Sequence, residues 1–181
     1  MSPTILLISK ALSLSIIAGQ IVLVAGLVYF FARRQKNDKL IAFVARNALP
    51  LAFLLAAGAM AGTLFYSEIA ALPPCTLCWY QRIALYPQAL ILAIALWKKD
   101  KGIVDYVIGL SLVGALIAAY HSYLQYSGAQ SITCSIIKEA VSCSEPQVLE
   151  FGYITIPVMS LTVFSLILFL MFISKRFSAS S

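Results

Sequence analysis

Charge is what this chain has least of. Only 11% of its 181 residues are Asp, Glu, Lys or Arg, against 61% hydrophobic, and the mean hydropathy is +0.93. A soluble domain carries roughly a quarter of its residues charged, so a soluble globule is excluded and an integral membrane protein of one compact bundle is expected. Acidic residues are scarcer than basic ones, 7 against 13, leaving a net charge of +6. That excess would suit nucleic acid if the positive side chains lined one groove. They fall instead in the gaps between apolar runs, as membrane topology would place them, so the expected surroundings are a lipid bilayer and no nucleic acid. Histidine is nearly absent, His121 being the only one. The pattern of a cleavable signal peptide is missing as well: its positive charges would precede the first apolar run, whereas Arg33, Arg34, Lys36 and Lys39 follow it.

What is present is a series of apolar runs long enough to cross roughly 30 Å of hydrocarbon. Five are expected: Thr4 to Ala32, Asn47 to about Ser67, Cys75 to about Trp97, about Ile103 to Tyr123, and about Gly152 to Ile173. Lys10 lies close enough to an end of the first run to snorkel. The second is dense in small residues, Ala56 to Ala59, Ala61 and Gly62, and the fourth carries Gly109 and Gly114, which predicts close helix packing at those positions. Leu124 to Glu150 is the only long polar segment, and Ser135 to Val141 within it has the pattern of a short amphipathic surface helix. The expected organisation is an N-terminal helix with a basic linker over 1–46, a four-helix bundle over 47–174 with an outer loop at 124–151, and a tail over 175–181.

Alternating the five spans puts Arg33, Arg34, Lys36, Lys39, Arg46, Lys98, Lys99, Lys101, Lys175 and Arg176 on one side. The positive-inside rule makes that side cytoplasmic, so the expected topology is N-out and C-in. All four cysteines then face the outer compartment of the cell membrane, which is oxidising in bacteria and archaea and suits disulfides.

Two of those cysteines, Cys75 and Cys78, stand where Pro73-Pro74 stops any preceding helix and an apolar helix begins. Cys78 and Arg82, at i and i+4, share a helix face. A helix N-terminus, a vicinal cysteine and a guanidinium one turn below each favour thiolate over thiol, the species that attacks disulfides. Arg82 inside a membrane-length run is itself costly and points to function. Cys134 and Cys143 in the polar loop form a second, looser pair, so that two dithiols able to exchange are expected.

The order of these parts resembles the DsbB family of thiol-quinone oxidoreductases, most nearly its short-loop, BdbC-type branch. The residues that carry the resemblance are Pro74-Cys75-x-x-Cys78-Trp79-Tyr80-Gln81-Arg82 opening one span, His121 at the outer end of the next, a two-cysteine loop, and Phe151-Gly152-Tyr153-Ile154-Thr155-Ile156-Pro157 opening the last. It covers about Asn47 to Ile173, the first helix lying outside it. The resemblance implies an all-α membrane protein, a four-helix DsbB-like bundle with one extra N-terminal transmembrane helix. It implies disulfides Cys75–Cys78 and Cys134–Cys143, a thioredoxin-fold dithiol oxidase of the DsbA type as partner, and ubiquinone or menaquinone from the membrane pool as electron acceptor. Cys134 is the cysteine attacked by the reduced partner, Cys143 resolves it and exchanges with Cys75, Cys78 faces the quinone ring, and Arg82 lies near a quinone oxygen.

General chemistry agrees with each step. Exchange runs through sulfurs that can meet, and a guanidinium in a low-dielectric site stabilises negative charge developing on oxygen. Trp79 and Tyr80 could supply apolar contacts to a ring, and His121 could carry a proton. A zinc site built from all four cysteines would leave Arg82 without a clear role; a non-enzymatic reading, a disulfide-stapled membrane scaffold or small transporter subunit, is set against an intramembrane charge matched to a dithiol rather than to an acidic partner or a transport path. A vitamin K epoxide reductase-like protein combines the same parts, but there the loop pair precedes the C-x-x-C helix, whereas here it follows.

Overall fold

A computed structural model describes residues 3–32, 39–100, 102–128 and 142–178. Cys134, the expected surface helix over Ser135 to Val141 and the last three residues lie outside them. Among the described residues six α-helices run in chain order: α1 (Pro3–Ala32), α2 (Lys39–Arg46), α3 (Ala48–Leu64), α4 (Thr76–Lys98), α5 (Val104–Ser127) and α6 (Ile156–Ser178). Among the described residues four stretches are long and apolar enough to cross a membrane, α1, α3 with the π-helical turn Phe65–Ile69 that continues it, α5 and α6, so the chain is an all-helical multi-pass membrane protein.

The helix α4 has 23 residues, about 34 Å at the α-helical rise, but a lower apolar content because it carries Gln81, Arg82 and Gln88. All three are buried among the other helices. Gln88 is satisfied there: Ser111 Oγ of α5 donates to its Oε1 at 2.7 Å and its Nε2 donates to Ala84 O at 2.9 Å. A buried amide left without these partners would cost about 1–3 kcal/mol.

The bundle consists of α3, α4, α5 and α6, with α4 between α3 and α5 and α6 against α3 and α5. Its core runs through Ala52, Ala56, Leu92, Val107, Phe164 and Ile167, all buried. At Gly114 of α5 the Phe164 ring sits where a Cβ would be, so the close packing expected there is found. At Gly109 it is not, and a Cβ would meet nothing within 4 Å. The small residues of α3 divide in the same way. Of those expected to pack closely, Ala56 is buried among neighbours, whereas Gly58 and Gly62 border open space.

The helix α1 lies outside this bundle and packs on α6, where Gly19 receives Leu166 and Gly26 the ring of Phe169. The basic linker after it contains a helix that hydropathy along the chain does not suggest. It is the amphipathic α2, with Ile41 buried beside Phe30 and Ile173.

Candidate redox centre

Pro73 and Pro74 hold the chain extended into Cys75, whose φ of −70° and ψ of 168° make it the N-cap of α4. The Cys78 N–H donates to Cys75 Sγ at 3.3 Å, a cap usually supplied by Ser or Asp oxygen. The two sulfurs lie 2.7 Å apart and both are free thiols. One helical turn therefore brings the pair within reach of bond formation with no backbone movement.

Across the turn, His121 of α5 is fully enclosed. Its Nε2 is 3.7 Å from Cys75 Sγ and its Nδ1 is 3.0 Å from Gln81 Nε2. With the amide nitrogen of Gln81 donating to Nδ1, the ring proton belongs on Nε2, aimed at Cys75. The Cys75 thiol, at the N-cap of α4, is held below the ordinary range. The hydrogen bond from Cys78 is the largest cause; burial opposes it, and His121 and the Cys78 N–H add to it.

Cys143 joins Cys75, Leu77 and Leu124 in one buried cluster, with Cys78 packed against it. It is disulfide-bonded. The loop cysteine is thus brought to the Cys75 side of the C-x-x-C turn. The chain beyond it turns sharply at Phe151 and Gly152, both at positive φ, and closes with Glu150 pairing to Ile154. Tyr126 OH donates to Tyr153 O at 2.7 Å and pins this turn to α5.

The other side of the pair is different. Cys78 and Arg82 contribute to the wall of an apolar cavity of about 310 Å³ between α1, α3, α4 and α6. Gln81, Thr63, Tyr66 and Gln147 give its upper end some polarity, and Gly58 and Gly62 leave room that a side chain would fill. Arg82 is 8% exposed and donates from Nη2 to Thr63 O at 2.8 Å. Among the described residues the only ion pair is Lys175 with Asp105, 2.6 Å apart at the surface, so Arg82 faces the cavity as a cation without a carboxylate. Burial without a counter-charge is expensive unless something in the site uses it.

Not every residue singled out from sequence joins the cavity. Trp79 and Tyr80 do not line it; they are half-exposed, and the Trp79 ring carries the Arg82 guanidinium 5.3 Å above its centre. The reason is the 100° step of the helix: Cys78, Gln81, Arg82 and Leu85 share one face, and Trp79 and Tyr80 are rotated off it toward lipid. His121 also lies away from the cavity, against Cys75. Cys75, Cys78 and His121 could be taken for a metal-ligand set. Cys143, being disulfide-bonded, offers no thiolate to such a set.

Sequence reasoning missed the Gly58–Gly62 recess, the Thr63 carbonyl and Gln147, as well as the α1 residues on the cavity wall. Only the glycine spacing carried a trace of them, and it reads equally well as helix packing.

Residues 45–174 match the family described as disulfide bond formation protein DsbB. The chain is 48% identical over 119 residues to the SPbeta prophage-derived disulfide bond formation protein B of Bacillus subtilis, covering 66% of this chain and 78% of that protein. It is 40% identical over 117 residues to disulfide bond formation protein C of the same organism, covering 65% and 84%. To a probable disulfide formation protein of Chlamydia caviae it is 36% identical over 135 residues, covering 75% and 96%. No solved structure matches the chain.

Proposed function

The chain belongs to the DsbB family of disulfide bond formation proteins, and from that premise we propose that it oxidises a thioredoxin-fold dithiol partner of the DsbA type and passes the electrons to a membrane quinone. The observation that carries this reading is the division of labour around one helical turn. Cys75 faces the loop cysteine and His121, and Cys78 faces an apolar cavity with a guanidinium that has no carboxylate partner among the described residues. A staple or a scaffold has no use for that asymmetry.

The cavity suits a quinone by its chemistry. Its walls are mostly carbon, the Gly58–Gly62 recess leaves space, and Arg82 offers charged donors where an oxygen gains negative charge. Quinone, when bound, supplies a two-electron acceptor that ends as quinol, while the partner dithiol ends as a disulfide. The chain's own steps are exchanges. A partner thiolate attacks Cys134 of a Cys134–Cys143 disulfide, Cys143 leaves as thiolate, and a second partner thiolate releases the oxidised partner. Cys143 then attacks Cys75 of the Cys75–Cys78 disulfide, Cys134 closes the loop disulfide again, and Cys75 and Cys78 are left reduced. His121, with its proton fixed on Nε2 by Gln81, stabilises Cys75 as leaving thiolate. Arg82 holds its charge at the cavity end beside Cys78. The reading also takes α4 as a fifth span, N-out and C-in, with the cysteines on the extracytoplasmic face.

The test is a count of free thiols, by maleimide gel shift, on pre-reduced protein in membranes kept without oxygen. Adding a short-chain quinone is expected to remove four thiols in the native chain and none in Cys78→Ser. Four thiols that survive quinone in the native chain refute the electron path.

A further inference from the structure

The cavity beside Cys78 is bounded on one side by a helix that the family match, which starts at residue 45, does not include. Leu12, Ser15, Ile16 and Gly19 of α1 line it. Their spacing of three, one and three residues puts them on a single face.

That face is fixed in position. Ser9 and Ser13 are almost fully buried, and Ser9 Oγ lies 3.2 Å from both Tyr66 OH and Glu150 Oε1. One α1 hydroxyl thus reaches a cavity residue and the turn that follows the redox loop. About two turns below the last of these serines, Gln20 Nε2 donates to Thr162 Oγ1 at 3.1 Å, and Tyr153 OH donates to Gln20 Oε1 at 2.9 Å. Polar pairs in an apolar surrounding fix a helix in register and rotation, which a simple lipid-facing anchor does not require. Leu7, Leu14, Val22 and Val28 point outward, so α1 presents one side to lipid and the other to the cavity.

The cavity itself is graded. Thr63, Gln81, Arg82 and Gln147 gather at the Cys78 end, while Leu54, Leu55, Leu166 and Gly19 make the far end all carbon. From Tyr66 to Leu54 along α3 is roughly 18 Å at the helical rise, longer than a single ring needs. Because α1 packs on α6 and has no comparable contact with α3, the α1–α3 side is where a chain can pass into lipid.

We infer that α1 is part of the acceptor site: Leu12, Ser15, Ile16 and Gly19 bind the isoprenoid chain of the quinone whose ring end is served by Cys78 and Arg82. This rests on the quinone reading above and adds to it a specificity for tailed over tail-less quinones, supplied by α1.

The test uses the full chain in lipid nanodiscs and a quinone with a photoreactive diazirine on its isoprenoid chain. Photolysis is expected to label residues 12–19, with the label competed by unlabelled long-chain quinone and not by excess phospholipid. Ile16→Trp, which pushes an indole into the cavity, is expected to weaken binding of the long-chain quinone about tenfold, the equivalent of one overpacked contact, and that of a tail-less quinone by no more than about twofold. Ser15→Leu, at an exposed position of the same wall, shifts the preference in the same direction, and Leu14→Trp on the lipid face leaves both affinities unchanged. Single-turnover exchange between the oxidised variants and a reduced partner, which needs no quinone, reports that they are folded. No label in α1, label removed equally by phospholipid, or equal loss of both quinones overturns the α1 assignment while native turnover stands. A native chain that neither binds nor reduces any quinone overturns the functional reading as well.

Discussion

Replacing Arg82 by Met removes the charge from the cavity and keeps most of the side-chain volume. The consequences for folding and for electron transfer separate cleanly. Arg82 donates to Thr63 O, and its loss leaves that carbonyl to Ser67 Oγ, 3.2 Å away, whose one proton can turn there from Glu68 Oε1 at 2.9 Å. The about 1–3 kcal/mol cost of an unsatisfied carbonyl is therefore reduced, and the variant no longer buries a cation, which offsets it further. Stability should change by no more than about 2 kcal/mol. A preorganised donor aimed at developing negative charge is worth about 2.7–4 kcal/mol, or roughly 100- to 1,000-fold in rate. Quinone reduction by the pre-reduced variant, followed by the quinone's absorbance, is expected to fall by that factor. Exchange of the oxidised variant with reduced partner, followed by gel shift, should stay within about threefold, since the sulfurs meet on the other side of the turn. Arg82→Lys should recover part of the quinone rate, because it keeps the charge and loses the planar fork. Equal losses in both assays, or quinone reduction that is untouched, would refute the role given to the guanidinium.

Further outcomes follow from the same geometry. The Cys78 hydrogen bond, with His121 beside it, holds the Cys75 thiol below its ordinary range, so its thiolate absorbance in the reduced chain should persist as pH falls through the ordinary thiol range near 8.5 and disappear only below it; His121→Ala should move that midpoint upward, and an unmoved midpoint would detach His121 from Cys75. Gly58→Leu, filling a recess with nothing within 4 Å, should leave the melting temperature nearly unchanged and lower quinone affinity about tenfold in a titration. Gly114→Ala puts a methyl into the buried Phe164 ring and should cost about 1–3 kcal/mol, read as a lower melting temperature in detergent. Gly109→Ala, with open space around it, should be neutral or stabilising by up to about 1 kcal/mol in the same measurement.

The sequence alone determined the class of protein and the mouth of the redox helix. Apolar runs of membrane length cannot remain in water, and two prolines followed by Cys75 leave little choice but a helix start, so Cys78 and Arg82 fall on one face by helical period alone. These are local facts, written within a few residues of one another. What only the tertiary structure decided involves partners far apart in the chain. His121 reads as a proton carrier of any kind until α5 packs beside α4 and sets its Nε2 against Cys75, with Gln81 behind it. Trp79 reads as part of a ring site until α1, α3 and α6 enclose the cavity on another face of α4 and leave its ring outward, against Arg82. Gly58 and Gly62 have the spacing of a packing face, and only the placement of α1 and α6 turns that face into the floor of a cavity. Small residues permit close approach without requiring it, and whether a neighbour or a void lies opposite depends on the rest of the bundle.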